Sequence, residues 1–196
     1  MRIRHAMAGG LVLLLALAGC TGEPTPSPEP TGSGTTTPAT STPSGDASAT
    51  PEVQKPDRPQ AMERDDARGA AAAAEYFIEL YPYVMATADT AEFEAMSHEA
   101  CGFCDGVLKD ARAISAAGNR FVGGDTQAEI KQIYDPDAPT SAWPLDLTVT
   151  QSSSKVEDET GAEVSTADAR DGDVRVEIGL RDGSWVVLGI TEISGQ

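Results

Sequence analysis

An α+β domain, helices first and an antiparallel sheet after them, is what this sequence predicts, and three observations carry the expectation. Between Ala67 and Met85 the apolar residues Ala67, Ala70, Ala71, Ala74, Phe77, Ile78, Tyr81, Val84 and Met85 recur at steps of three and four. That is the one-sided stripe of an amphipathic helix. Further on, Trp143, Leu145, Leu147 and Val149 alternate with Pro144, Asp146 and Thr148, the period of a half-buried strand. Finally, Asp182-Gly183 stands between two more apolar runs, Val174 to Leu180 and Trp185 to Ile193. This dipeptide is a strong signal for a two-residue hairpin. Helices followed by such strands pack as two layers, with the helices on one face of the sheet.

Each element has its own start and stop. Glu63, Asp65 and Asp66 crowd the beginning of the first helix, where negative charge favours the helix dipole. Pro82 interrupts the stripe and is expected to kink that helix or end it early. Asp89-Thr90-Ala91-Glu92 has the form of a capping box opening a short helix through Met96. A third helix carries Phe103, Val107, Leu108, Ala111 and Ile114, with Gly118 as its stop. In the second half, Thr126 to Tyr134 alternates through Ala128 and Ile130 and then slips at Ile133, as a bulge would make it do. The polar, acidic stretch Ser152 to Gly172 is expected to be a long hairpin end or loop, with a short strand near Val164.

Upstream of the domain the composition changes twice. Arg2 and Arg4 precede a short apolar run, Leu11 to Ala18, which closes in Leu17-Ala18-Gly19-Cys20. A basic start, a short apolar core and small residues at the cleavage point make a secretory signal. The cysteine after them makes it resemble the lipobox of bacterial lipoproteins. Residues 1–19 are therefore expected to be removed and Cys20 to be diacylated. A spanning helix needs about 20 apolar residues, and this run is about half that length. Two acyl chains hold a protein on a membrane stably where one is marginal. The expected location is the extracytoplasmic face of the cell membrane. Residues 20–60 are rich in Pro, Thr and Ser, with Val53 their one larger hydrophobe, and cannot bury enough surface to offset ordering entropy. They are expected to form a disordered tether, and their composition also fits O-glycosylation. Residues 61–196 make one domain of ordinary size.

The formal charge of −17 excludes some partners. Nucleic acid needs Lys and Arg for its phosphates, and an anionic bilayer surface repels acidic side chains. The expected partners are the membrane, reached through the lipid, and either a cell-envelope protein or a small apolar ligand.

Several short stretches are more specific. Tyr76-Phe77 through Tyr81-Pro82-Tyr83, then Thr87-Ala88-Asp89-Thr90, Ser97, Cys101-Gly102-Phe103-Cys104 and Gly123-Gly124 resemble an actinobacterial lipoprotein family, domain of unknown function number 6318. The likeness covers most of Ala67 to Ile193. Where that family has Thr-Gly-Asp, this chain has Thr87-Ala88-Asp89. A long helix, two shorter ones and a curved four-stranded sheet also resemble the cystatin-like cone of the nuclear-transport-factor-2-like superfamily. The family resemblance implies no activity, cofactor or catalytic residue.

Chemistry-bearing residues are few. With Cys20 lipidated in an oxidising compartment, Cys101 and Cys104 are left to join each other. The loop between them is tiny, so the bond stabilises by about 2 kcal/mol at most. A thioredoxin-like redox pair is the sharper alternative. No strand precedes the motif, however, and Glu99, Asp105 and Asp110 would raise a thiolate's pKa. His98, Cys101, Cys104 and Asp105 have metal-ligand spacing, but a structural zinc site uses four Cys or His ligands, so no metal is assigned. Asp135-Pro136-Asp137 lacks the ligand spacing of a calcium loop and is taken as a turn. Serine-nucleophile, zinc-protease and phosphate-loop motifs are absent, and no catalytic residue or cofactor is assigned. Tyr76, Phe77, Tyr81 and Trp143 are candidates to line a pocket at the open end of the cone. The expected function is a non-catalytic binding module. The alternative is a small cone-fold hydrolase or isomerase using carboxylates as acid and base. A deep pocket with two converging acids of split pKa would favour the enzyme.

Overall fold

The computed structural model describes residues 53–193. The signal segment, Cys20 and the tether up to residue 52 lie outside the described residues. A 3-10 turn (Gln60–Glu63) leads into α1 (Ala67–Glu79), α2 (Tyr81–Thr87), α3 (Ala91–Ala95) and α4 (Gly102–Ala116). The strands follow: β1 (Arg120–Gly123), β2 (Thr126–Ile133), β3 (Trp143–Gln151), β4 (Ser154–Glu157), β5 (Glu163–Ala167), β6 (Arg170–Arg181) and β7 (Ser184–Glu192). The domain is α+β, as its patterning predicts. Its main sheet has four antiparallel strands in the order β2-β3-β6-β7, and a smaller sheet has the order β1-β4-β5. Among the described residues, no helix is long and apolar enough to cross a membrane.

The helix ends follow local chemistry. Asp66 caps α1, its carboxylate accepting from the Arg68 and Gly69 amides at 3.0 and 3.3 Å. Leu80 closes α1 and opens α2, with Pro82 in the first turn of α2, where its missing N–H costs nothing. The Asp89–Glu92 capping box does not form. Thr90 makes no side-chain cap, and Glu92 turns instead toward Lys55 and Arg58. Two nearby cations outcompete one backbone amide for the carboxylate. The helix α4 ends as expected at Gly118, whose φ is +70°. The Gly118 amide donates to Ser115 and the Asn119 amide to Ile114, the paired bonds of a Schellman motif.

Register in the main sheet sets the core. Leu145 faces Val176 and Leu147 faces Val174. The bulge in β2 falls between Ile130 and Gln132, just ahead of the slip in the sequence pattern. The extra residue returns Ile133 to the inner face opposite Leu145. Asp182 and Gly183 both take positive φ, 51° and 79°, as a type I′ hairpin turn requires. Between the helices and the sheet lie the fully buried Tyr76, Phe77, Leu80, Phe93, Leu145, Leu147, Ile178 and Trp185. Each side chain of this size contributes about 1.5–3 kcal/mol on burial. Phe77 stacks on Phe93 with centroids 4.2 Å apart, and the Trp185 indole donates to the Met62 and Arg64 carbonyls at 3.0 and 3.2 Å.

One expectation needs correcting. Ser152 to Gly172 is not mainly loop: it holds β4, β5 and the start of β6. The strand β5 is exposed at every position, and β1 buries only Phe121. Without a buried face there is no alternation for the sequence to display. At the other end, residues 53–59 run along the domain. Lys55 and Arg58 ion-pair with Glu92, and the Arg58 guanidinium lies 6.0 Å from the centre of the Tyr76 ring.

Candidate ligand cavity

Strand alternation decides which side chains reach the concave face of the main sheet. The pairs Val149–Gly172 and Gln151–Arg170 continue the inner face defined by Leu147–Val174, and Val174 in turn pairs with Glu192 of β7. Asp171 and Asp173 therefore project from the opposite face. There Asp173 accepts from Lys131 at 2.9 Å and Thr148 at 2.8 Å, which together hold its carboxyl below the usual range.

Over this end of the sheet lies a cavity of about 390 Å³, within the size range of small-ligand sites. Phe77 and Ile78 from α1, Tyr81 from α2 and Phe103 from α4 line one side, and Val149, Val174, Ile190 and Ile193 line the other. Gly172 also lines the cavity from the sheet side. A Cβ built there meets nothing within 4 Å. Glycine in a strand interior weakens the strand and marks places where something approaches the backbone closely.

The polar groups gather at one end. Arg170 Nε donates to Gln151 Oε1 at 3.0 Å, Gln151 Nε2 to Thr126 Oγ1 at 3.3 Å, and Thr126 Oγ1 to the Gly124 carbonyl at 2.8 Å. The Tyr81 hydroxyl stands beside them. Burial raises its pKa, and Arg170 and Gln151 partly offset that rise. The far edge of Tyr81 meets the Phe121 ring at 87°, with centroids 6.1 Å apart. Beyond that ring is an open groove lined by Tyr81, Met85, Ile114, Phe121, Val156 and Val164.

Of the residues singled out in the sequence, Phe77 and Tyr81 line the cavity. Tyr76 and Trp143 do not. Tyr76 sits on the same helix but faces Arg58 and Glu92. Its hydroxyl is buried without a hydrogen bond of normal geometry, and burial together with the nearby Glu92 carboxylate holds its pKa well up. Trp143 shares the inner face of β3 and pairs with Ile178, but six residues separate it from Val149, roughly 20 Å along a strand. Cys101 and Cys104 are joined in a disulfide. Cys101 also caps α4, its sulfur accepting from the Cys104 amide at 3.2 Å, so the bond fixes the turn that presents Phe103. The His98 imidazole accepts from the Ala100 amide at 3.1 Å through Nδ1. Arg170, Gln151, Gly172 and Phe103 were not singled out as cavity residues. Gly172, inside an acidic stretch, was the one signal that could have pointed there.

The carboxyls with raised pKa lie elsewhere. Glu75 and Glu79, both on α1, are pushed up chiefly by burial, and neither lines the cavity.

A family model matches residues 34–191. The chain belongs to the family of unknown function DUF6318. No curated protein matches this DUF6318 chain. Among solved structures, it is similar to the intermembrane space region of the chloroplast protein ARC6, with 14% identity and a TM-score of 0.51 over 67% of this chain and 99% of that one. An uncharacterized protein with a cystatin-like fold from Caulobacter vibrioides is 12% identical, with a TM-score of 0.37, covering 64% of this chain and 91% of that one. Aln2 from a Streptomyces species is 14% identical, with a TM-score of 0.36, covering 59% of this chain and 83% of that one. The ARC6 region shares the fold of this DUF6318 domain.

Proposed function

We propose that this DUF6318 chain is a lipid-anchored lipoprotein on the extracytoplasmic face of the cell membrane, and that its domain binds a small, mainly apolar ligand without transforming it. The anchor rests on the run from Arg2 to Cys20. The binding role rests on one observation, the apolar cavity with Gly172 leaving its sheet side open. Two further features support a binding role. Asp173 turns its carboxyl to the outer face, where Lys131 and Thr148 hold it low, and Glu75 and Glu79, the carboxyls pushed up by burial, lie outside the cavity, so no poised acid faces it among the described residues. The outer face of the main sheet is a lattice of paired charges, with Asp146 bonded to Arg175 and Tyr134, and Asp173 to Lys131. Apolar surface suited to a ligand therefore lies inside the cone.

The full chain carrying Cys20→Ser, free of lipid, tests the cavity. Titration with the neutral fluorophore N-phenyl-1-naphthylamine is expected to give saturable, one-to-one binding. Gly172→Phe starts from a Cβ position with open space around it and sends its ring into the cavity. It is expected to abolish the signal while the circular dichroism stays unchanged. Undiminished binding in Gly172→Phe overturns the assignment. For the anchor, wild type is expected in the membrane fraction with a lipid-sized mass on Cys20, and Cys20→Ser outside it. Equal retention of both removes the lipid from the proposal.

A further inference from the structure

The cavity of the preceding reading has chemistry at only one end, and that chemistry is directional. Arg170 is placed on the concave face by its pairing with Gln151. Its Nε is spent on the Gln151 side-chain oxygen, which orients the guanidinium. Among the described residues no carboxylate lies within ion-pair distance of it, and its two terminal nitrogens have no hydrogen-bond acceptor. Most other cations of the domain behave differently: Lys55, Arg58, Arg64, Lys109, Arg112, Lys131, Lys155 and Arg175 each hold an Asp or Glu, and Arg68 and Arg181, which have no ion pair among the described residues, do not line the cavity. In a chain with a formal charge of −17, carboxylates are abundant, so Arg170, exposed at the cavity wall without one, leaves its terminal N–H groups open to solvent and to an acceptor that enters the cavity.

We propose that the ligand is a monocarboxylate with an unbranched apolar body, its carboxylate bound by the Arg170 guanidinium and its chain lying over Gly172 between Phe77 and Val149. This rests on the cavity being a ligand site. A planar guanidinium fork matches a carboxylate and gives charge-assisted bonds. The Tyr81 hydroxyl and Thr126 stand at the same end and supply further polar contacts. The other charged side chain on this face is Glu192, which repels a second negative charge. A phosphate dianion is therefore disfavoured, and a single carboxylate fits. The volume of about 390 Å³ holds about 13 non-hydrogen atoms at roughly 30 Å³ each. That is a chain of medium length.

Calorimetric titration of the full Cys20→Ser chain with dodecanoate, dodecanol, dodecyl phosphate and dodecylamine tests this, with the neutral naphthylamine as the cavity control. Dodecanoate is expected to bind about tenfold or more tighter than the other three, the worth of a charge-assisted contact. Arg170→Gln is expected to remove that preference while leaving dodecanol affinity within about twofold, and Arg170→Lys to restore most of it. Equal affinity for alcohol and carboxylate overturns the head-group assignment, as does a preference for the phosphate or the amine. If the naphthylamine binds but no dodecyl compound does, the head-group proposal fails and the cavity reading stands. If nothing binds, both fail.

Discussion

Gly69 offers a test in which two magnitudes oppose each other and the structure decides the sign. In a helix, Gly→Ala ordinarily stabilises by about 1 kcal/mol, because alanine has the better propensity and restricts the unfolded chain. Gly69 lies in the first turn of α1, and a Cβ there would stand far inside contact distance of the Arg64 carbonyl oxygen and 2.9 Å from Trp185 Cζ2. Neither neighbour can yield cheaply. That carbonyl accepts from the Trp185 indole at 3.2 Å, and Trp185 is 1% exposed in the centre of the core. Overpacking costs about 1–3 kcal/mol, and a strained or broken buried hydrogen bond costs about as much again. After the propensity gain is subtracted, Gly69→Ala is expected to destabilise by about 1–5 kcal/mol. Gly106, inside α4, is the internal control. A Cβ there meets nothing within 4 Å, so Gly106→Ala is expected to stabilise by about 1 kcal/mol. Urea unfolding of the full chain, followed by circular dichroism, reads both. The midpoints should move in opposite directions at constant slope. A Gly69→Ala chain as stable as wild type would refute the reasoning, since the close approach of the 3-10 turn to α1 would then carry no cost.

Other outcomes follow from the same packing. Trp185→Phe leaves the Met62 and Arg64 carbonyls without their donor and is expected to cost about 2–3 kcal/mol in the same urea assay. Reducing the Cys101–Cys104 bond should lower stability by about 2 kcal/mol at most. Because the bond holds the turn bearing Phe103, dithiothreitol should also weaken naphthylamine binding under conditions where the fold persists. Asp146 is held below the usual carboxylate range, chiefly by Arg175 and also by Tyr134. A lowered folded-state pKa stabilises above the unfolded value and fades as pH falls through the folded one. The stability gap between wild type and Asp146→Asn should therefore be constant above about pH 5 and shrink below about pH 4; a gap that widens on acidification would contradict the pairing.

What the sequence could and could not convey depends on burial. α1, α4, β3 and the β6–β7 hairpin each bury one face, so their periods stand out, and Gly118 and Asp182-Gly183 mark ends that only positive φ satisfies. The smaller sheet has no such face. β5 is exposed throughout and is held by backbone pairing to β4, which leaves no trace in composition. The capping box failed because its rivals, Lys55 and Arg58, come from more than thirty positions upstream, a distance no local motif spans. Half of the cavity was legible for a related reason. Phe77 and Tyr81 mark the apolar side of α1 and α2, but the aromatic ring at Trp143 has the right face and the wrong end. Face is a matter of parity and can be counted along a strand. Position across the sheet depends on pairings such as Gln151 with Arg170, which only the folded chain declares.

The phenol of Tyr81 borders both the cavity and the open groove beyond Phe121. A single ring is thus the party wall between two rooms. A displacement of that ring from the side of Arg170 would alter the space beside β4 and β5 as well, with no strand having to move.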